Sequence, residues 1–195
     1  MAKHTSDFRA ELAVGLIDSL ELAEPFHDLT DAQLNWRPAD DAWSIGQCIE
    51  HLLLANRQYL PVMRAAVDST PPREGDEEPT YRSSFLGRLM VYAVGPDSKM
   101  SVPVPKQLVP SAAPVTQIIV KEFDTNTRAI IQLLADTAEI DLSRVKIQSP
   151  FAVWMRLRLG DAFKIIEVHN KRHLLQAARV LSQESFPTMA QNPME

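Results

Sequence analysis

Apolar residues recur every three to four positions in four long stretches of this chain, and polar or proline-bearing segments separate the stretches. The first runs from about Ser6 to Ala23, with Phe8, Leu12, Leu16 and either Ile17 or Leu20 on one face. Pro25 closes its neighbourhood. His4 before it and His27 after it read as isolated histidines without a role. Thr30-Asp31-Ala32-Gln33 fits a capping box that opens a short helical turn, closed by Arg37-Pro38. A second box, Ser44 with Gln47, starts the next long helix. Trp43, just ahead of it, is placed to pack back on the first turn as a hydrophobic staple. Ile45, Ile49, Leu52, Leu53 and Leu60 then face a core until Pro61 kinks or stops the helix.

The segment from Asp68 to Pro79 is polar and reads as an exposed loop, and Tyr81 to Val94 has the spacing of a short helix, with Phe85, Leu86, Leu89, Met90 and Val94. Gly95 to Pro114 holds five prolines and predicts an extended surface loop, which Val102, Val104 and Leu108 anchor or bring to a pocket mouth. Helical spacing returns over Thr116 to Ala138. The chain breaks again from Asp141 to Pro150, and Phe151 to Trp154 packs it before the last helix. That helix spans Gly160 to Leu181, with Asp161 as N-cap and Ile165, Ile166, Leu174, Ala177, Val180 and Leu181 on its apolar side. No alternation is strong enough to predict a sheet, and no repeat is visible. The pattern predicts an all-α protein: four long helices in a bundle, extra short helices and a proline-rich loop, in one domain over residues 1–195.

Composition narrows the function classes. A chain of 195 residues that is 45% hydrophobic can bury a sizeable core. Its net charge of -5, with basic residues scattered, gives no nucleic-acid backbone as partner. One cysteine excludes an intramolecular disulfide and fits a reducing compartment. No apolar run approaches the roughly 20 residues of a membrane span, and the amino terminus is patterned as a helix rather than a signal peptide. A cytoplasmic protein without membrane or nucleic-acid partners is the expectation.

The candidate chemistry is carried by histidines. His169 and His173 lie four residues apart, so a helix stacks them on one face. Two neutral imidazoles so placed can share a divalent ion, or merely hydrogen-bond at the surface. His51 stands on a row with Cys48, Ala55 and Gln58, small neighbours that leave room for its ring. By itself it reads as a satisfied core histidine rather than a ligand.

Two motifs carry a resemblance. Trp43 to His51 reads Trp-Ser-Ile-Gly-Gln-x-x-x-His after Trp36-Arg37-Pro38, and His169, Arg172, His173 and Gln176 form a second signature at the far end. Together, in this order and separation, they resemble the DinB/YfiT-like superfamily over nearly the whole chain. The resemblance implies an up-and-down four-helix bundle in which His51, His169 and His173 hold a divalent metal ion, zinc or nickel. Three neutral ligands would leave an open position, the pattern of a catalytic site rather than a closed structural one. Glu50, Glu167 and Gln176 are candidates to orient the rings, although both glutamates point elsewhere by helical geometry. Cys48 reads as packing and Arg172 as a surface or packing residue. The resemblance also implies activities: transfer or isomerisation with a low-molecular-weight thiol and a small-molecule substrate, or metal-dependent hydrolysis. A non-catalytic metal- or small-molecule-binding stress-associated protein is the alternative, and a structural homodimer with idle histidines a third. Trp154, Met155 and Leu157 could serve a homodimer face or belong to the core.

Overall fold

The structure is a computed structural model that describes residues 3–75, 77–100 and 103–187. It is mostly helical. α1 spans Thr5–Ala23, α2 Asp31–Asn35, α3 Ile45–Asp68, α4 Phe85–Val94, α5 Ile118–Ala135 and α6 Leu159–Leu181. Both capping boxes form. Thr30 and Ser44 each accept from the backbone N–H three residues on, and Gln33 and Gln47 reach back to the cap amides. Among the described residues no helix is long and apolar enough to cross a membrane.

The long helices α1, α3, α5 and α6 form a ring, in which α6 packs on α1 and α3, and α5 packs on α3 and α1. Their buried apolar residues fall into two clusters. One holds Phe8, Leu12 and Leu16 of α1, Tyr59 and Met63 of α3, Ile130 and Leu133 of α5, and Ile165 and Ile166 of α6. The other holds Ala23 of α1, Ile45, Ile49 and Leu52 of α3, Val120 and Phe123 of α5, and Leu174 and Ala177 of α6. Hence α1 and α6 run from the first cluster to the second, while α3 and α5 run the opposite way. The neighbours α1 and α6 are parallel, as are α3 and α5, so the directions do not alternate strictly along the chain as an up-and-down order would have them. Residues 69–117, with α4 packed on α6, return the chain along the bundle before α5 begins.

Polar side chains separate the two clusters. Asn56, Thr127 and Asn170 sit near the middle of α3, α5 and α6, Ser19 sits in the last third of α1 between Leu16 and Ala23, and each is fully buried. Asn56 Nδ2 donates to Asn170 Oδ1 at 3.1 Å. Ser19 closes on its own helix, donating to the Gly15 carbonyl.

Several expectations are corrected. Helix α3 continues through Pro61 to Asp68. The missing amide would have bonded the Arg57 carbonyl, but Arg57 and Pro61 are both exposed, so water can satisfy that oxygen while buried Tyr59, Met63 and Val67 hold the helix in place. The short helix starts at Phe85, not Tyr81, because Ser84 caps it by accepting from Gly87 N–H. Its Leu86, Met90 and Val94 pack inward, whereas Phe85 and Leu89 are exposed. Asp161 is not the N-cap of α6, which starts two residues earlier at Leu159. It is fully buried and accepts from the Tyr81, Ser83 and Ser84 hydroxyls and the Ser84 amide, tying α4's cap to α6.

The protein is not purely α. Lys3–His4 pairs antiparallel with Thr80–Tyr81, and Lys146–Ser149 pairs with Ala152–Arg158 in a hairpin irregular at Gln148 and Ser149. The irregularity and the brief first strand hide the alternation from a reading by period. Met155 and Leu157 of this hairpin are core residues, while Trp154 is exposed. His27 is not idle, since its Nε2 contacts Asp124 Oδ2 at 3.0 Å.

The polar layer gives a test. Asn56→Ala removes the donor to a buried Asn170 oxygen and should lower unfolding free energy by about 1–3 kcal/mol, read by urea denaturation. A change within about 0.5 kcal/mol, the range of ordinary surface substitutions, would show that the bond contributes little.

Candidate metal centre

Three histidines from two helices converge where α3 faces α6. One possible ligand atom from each of His51, His169 and His173 lies within 4.8 Å of the others. His51 Nε2 and His169 Nε2 are 3.1 Å apart. The ring centroids are 5.0 Å apart for His51–His169, 4.5 Å for His51–His173 and 4.7 Å for His169–His173. The local cause is plain in the sequence. The Ser44 capping box fixes the start of α3, and one face of α6 carries both other rings.

The outward-facing nitrogens are held. His51 Nδ1 lies 2.7 Å from the Leu108 carbonyl, which can only accept, so that nitrogen carries the proton and Nε2 keeps its lone pair. His173 Nδ1 lies 3.0 Å from Gln176 Oε1 and is a donor on the same argument, leaving its Nε2 available. Without an ion, His169 must donate its Nε2–H into the contact with His51. Two nitrogens each 2.0–2.1 Å from a tetrahedral ion would stand about 3.3–3.4 Å apart, close to the 3.1 Å between His51 and His169, and the third ligand atom lies within 4.8 Å. The donor set fits a divalent ion.

Electrostatics favour the neutral, ligand-competent rings. Burial lowers the His51 pKa, against the Leu108 hydrogen bond. Withdrawal from water, then the neighbouring imidazoles and Arg172, take His169 well below the usual range. His173 falls to about 3, first by burial and then by His51, despite the bond to Gln176.

The cluster opens onto a cavity of about 230 Å³. Its walls are mostly apolar, including Tyr59, Met90, Val94, Phe151, Met155 and Ile165. Val104 and Leu108 of the proline-rich segment also line it, so that segment both anchors and frames the pocket; Val102 lies outside the described residues. Trp43 flanks the imidazoles, its ring 4.9 Å from His51 and 5.7 Å from His173. Reading Trp43 only as a helix staple missed this, because Trp43 precedes the cap of α3 and helical spacing does not relate it to His51.

The remaining candidates are placed as follows. Gln176 orients a ring. Glu50 instead accepts from Ser111 N–H, and Glu167 pairs with Lys164 against α1. Cys48 is fully buried, which pushes its thiol up to about 12. Arg172 is no free surface residue. Its Nη1 donates to the Gly95 carbonyl at 2.9 Å, and the side chain lines the cavity.

Two outcomes follow from these shifts. Cys48 should stay unreactive toward a disulfide reagent at pH 8 until denaturant is added; prompt labelling of the native protein would contradict its burial. For the histidines, folded pKa values lie below the unfolded value of about 6.5, so the unfolded chain takes up protons first. Their contribution to stability is whole above about pH 6.5 and is lost as pH falls toward the folded values. The melting temperature of chelator-treated protein should therefore drop between pH 7 and 5, with a smaller drop in His173→Gln. A flat profile in the wild type would refute this.

An uncharacterized protein of Bacillus subtilis (strain 168), YuaE, is 25% identical over 162 residues, covering 83% of this chain and 91% of the relative. No solved structure matches the chain. The sequence profile of the DinB superfamily matches residues 20–177, a span that contains His51, His169, His173, the whole of α3 and α5, most of α6 and only the last turn of α1, and the chain belongs to that superfamily.

Proposed function

We propose that His51, His169 and His173 hold one divalent metal ion, zinc or nickel, and that the protein is a metal-dependent enzyme acting on a small molecule. In this reading residues 1–195 form one domain, and the four long helices are the family's bundle. The observation that carries the proposal is the convergence of three neutral imidazoles, two of them oriented by fixed partners, at the wall of an apolar cavity. With three protein ligands the ion would keep a position open, and it would supply Lewis acidity that lowers the pKa of a thiol or water there.

The chain's own groups prepare that chemistry. Leu108 O and Gln176 Oε1 fix the tautomers of His51 and His173. Tyr59, Phe151 and Met155 exclude water and so strengthen charge interactions at the site. Cys48, the protein's only cysteine, is too basic and too buried to be a nucleophile. A thiol nucleophile would therefore enter as substrate, which favours transfer with a low-molecular-weight thiol; hydrolysis by an activated water is the second activity.

Elemental analysis tests the site. About one equivalent of zinc or nickel is expected in the wild type, with clear loss in His51→Ala, His169→Ala and His173→Ala while the helical circular dichroism persists. Wild-type protein that stays metal-free after reconstitution would overturn the proposal. A screen of thiols against electrophiles and of simple esters and amides then separates transferase from hydrolase.

A further inference from the structure

The cavity beside the histidines carries a charge imbalance. Arg172 is the one cationic side chain among its described lining residues, and none of those residues is acidic. The two glutamates nearest in sequence to the histidines are committed elsewhere, Glu50 to Ser111 and Glu167 to Lys164. A divalent ion on three neutral imidazoles would add two further positive charges without any protein anion to offset them.

The guanidinium is also held in one orientation. Nη1 donates to the Gly95 carbonyl at 2.9 Å and lies 3.5 Å from the Ala93 carbonyl, both at the C-terminal end of α4. A cation at the carbonyls of a helix C-terminal end is favourable, and Gly95 O accepts from Ser98 N–H as well. With Nη1 so engaged, the Nε–H and Nη2–H edge has no partner among the described residues. That edge presents two parallel donors, the geometry that matches a carboxylate in bidentate fashion. Arg172 is one residue from His173 and three from His169 on the same helix, so an anion on it lies beside the histidine cluster.

We propose that the substrate of this site is a small carboxylate with an apolar body, and that Arg172 is the residue that selects it. Apolar walls such as Met90, Val94, Phe151 and Ile165 receive the body, and the guanidinium edge pairs the carboxylate. The volume of about 230 Å³ limits the ligand to less than drug size. The proposal rests on the metal-enzyme reading for the reaction at the ion, but the recognition it assigns belongs to Arg172 and operates without metal.

The experiment compares 3-phenylpropanoate with its uncharged isostere 3-phenylpropanamide, by isothermal titration calorimetry on chelator-treated and metal-loaded protein. Wild type should bind the acid at least about tenfold tighter than the amide in both forms, the scale of a charge-assisted hydrogen bond. Arg172→Met should abolish that preference in the chelator-treated protein, where no ion can attract the acid, and Arg172→Lys should retain part of it. Equal binding of acid and amide by chelator-treated wild type, or a preference unchanged in Arg172→Met, would overturn the assignment. Should loss of the α4 contacts unfold the methionine variant, the wild-type comparison and the lysine variant still decide. Failure to take up metal would sink the enzyme reading and leave the acid preference intact, whereas metal uptake without acid preference would sink only this one.

Discussion

The contact of α3 with α6 is the constraint on which the rest depends. No single helix can supply the histidine cluster, because His51 and the pair His169 and His173 belong to segments more than a hundred residues apart. Their meeting requires α3 and α6 to pack with a fixed rotation and a fixed axial register. Apolar rows provide the rotation, with Ile49, Leu52, Leu174 and Ala177 in one cluster. Such rows tolerate sliding better than they tolerate rotation, since one leucine replaces another at little cost. The Asn56–Asn170 bond does not slide. A shift of one turn would break it and leave Asn56 Nδ2 and Asn170 Oδ1 unpaired beside Asn56 Oδ1 and Asn170 Nδ2, which already lack partners, and that added cost favours the register in which the histidines also meet. Structure and site are thus selected by the same pairing.

Neutrality is the second consequence. Three imidazoles within one small volume cannot all be protonated, and burial pushes each toward its uncharged form. The same desolvation that would penalise an isolated charge prepares three lone pairs for a cation. Fixed partners on Leu108 and Gln176 decide which nitrogen His51 and His173 offer, so those two rings need not reorganise, whereas His169 would give up the Nε2 proton it donates to His51 in order to ligate through that atom. Arg172 adds to the field against protonation of His169 and His173 while its own charge is held by backbone carbonyls.

The features legible in the sequence were those with a local cause. Capping boxes at Thr30 and Ser44 depend on four consecutive residues, and both form. The i, i+4 placement of His169 and His173 follows from helical geometry alone. His51 joined them through a motif resemblance rather than through spacing, because nothing local in α3 reports what faces it. What escaped was non-local. Asp161 looks like an N-cap until Tyr81, Ser83 and Ser84 arrive from another part of the chain to satisfy its carboxylate. Ser84 caps α4 without the glutamine or glutamate three residues on that marks a capping box; that position is Gly87, whose missing side chain leaves room for Asp161. Pro61 reads as a stop, yet the flanking buried Tyr59 and Met63 outweigh one lost hydrogen bond on an exposed side. The hairpin of residues 146–158 was hidden by its irregular register.

The proline-rich segment is best understood through topology. Because α3 and α5 run in the same direction side by side, the chain leaving α3 at one end of the bundle must travel back to the other before α5 can start. Part of that return is α4, packed on α6; the remainder is the stretch around Pro103, Pro105 and Pro110. Proline withholds backbone donors and keeps this stretch out of a helix or central strand. Its carbonyls are consequently not all consumed in a ladder, and one of them, on Leu108, accepts the Nδ1–H of His51. A regular helix over the same path would have spent that oxygen on its own backbone. The proline-rich composition is therefore what lets a necessary crossover also finish the site: it passes over the cavity, contributes Val104 and Leu108 to the wall, and fixes the tautomer of the histidine on α3.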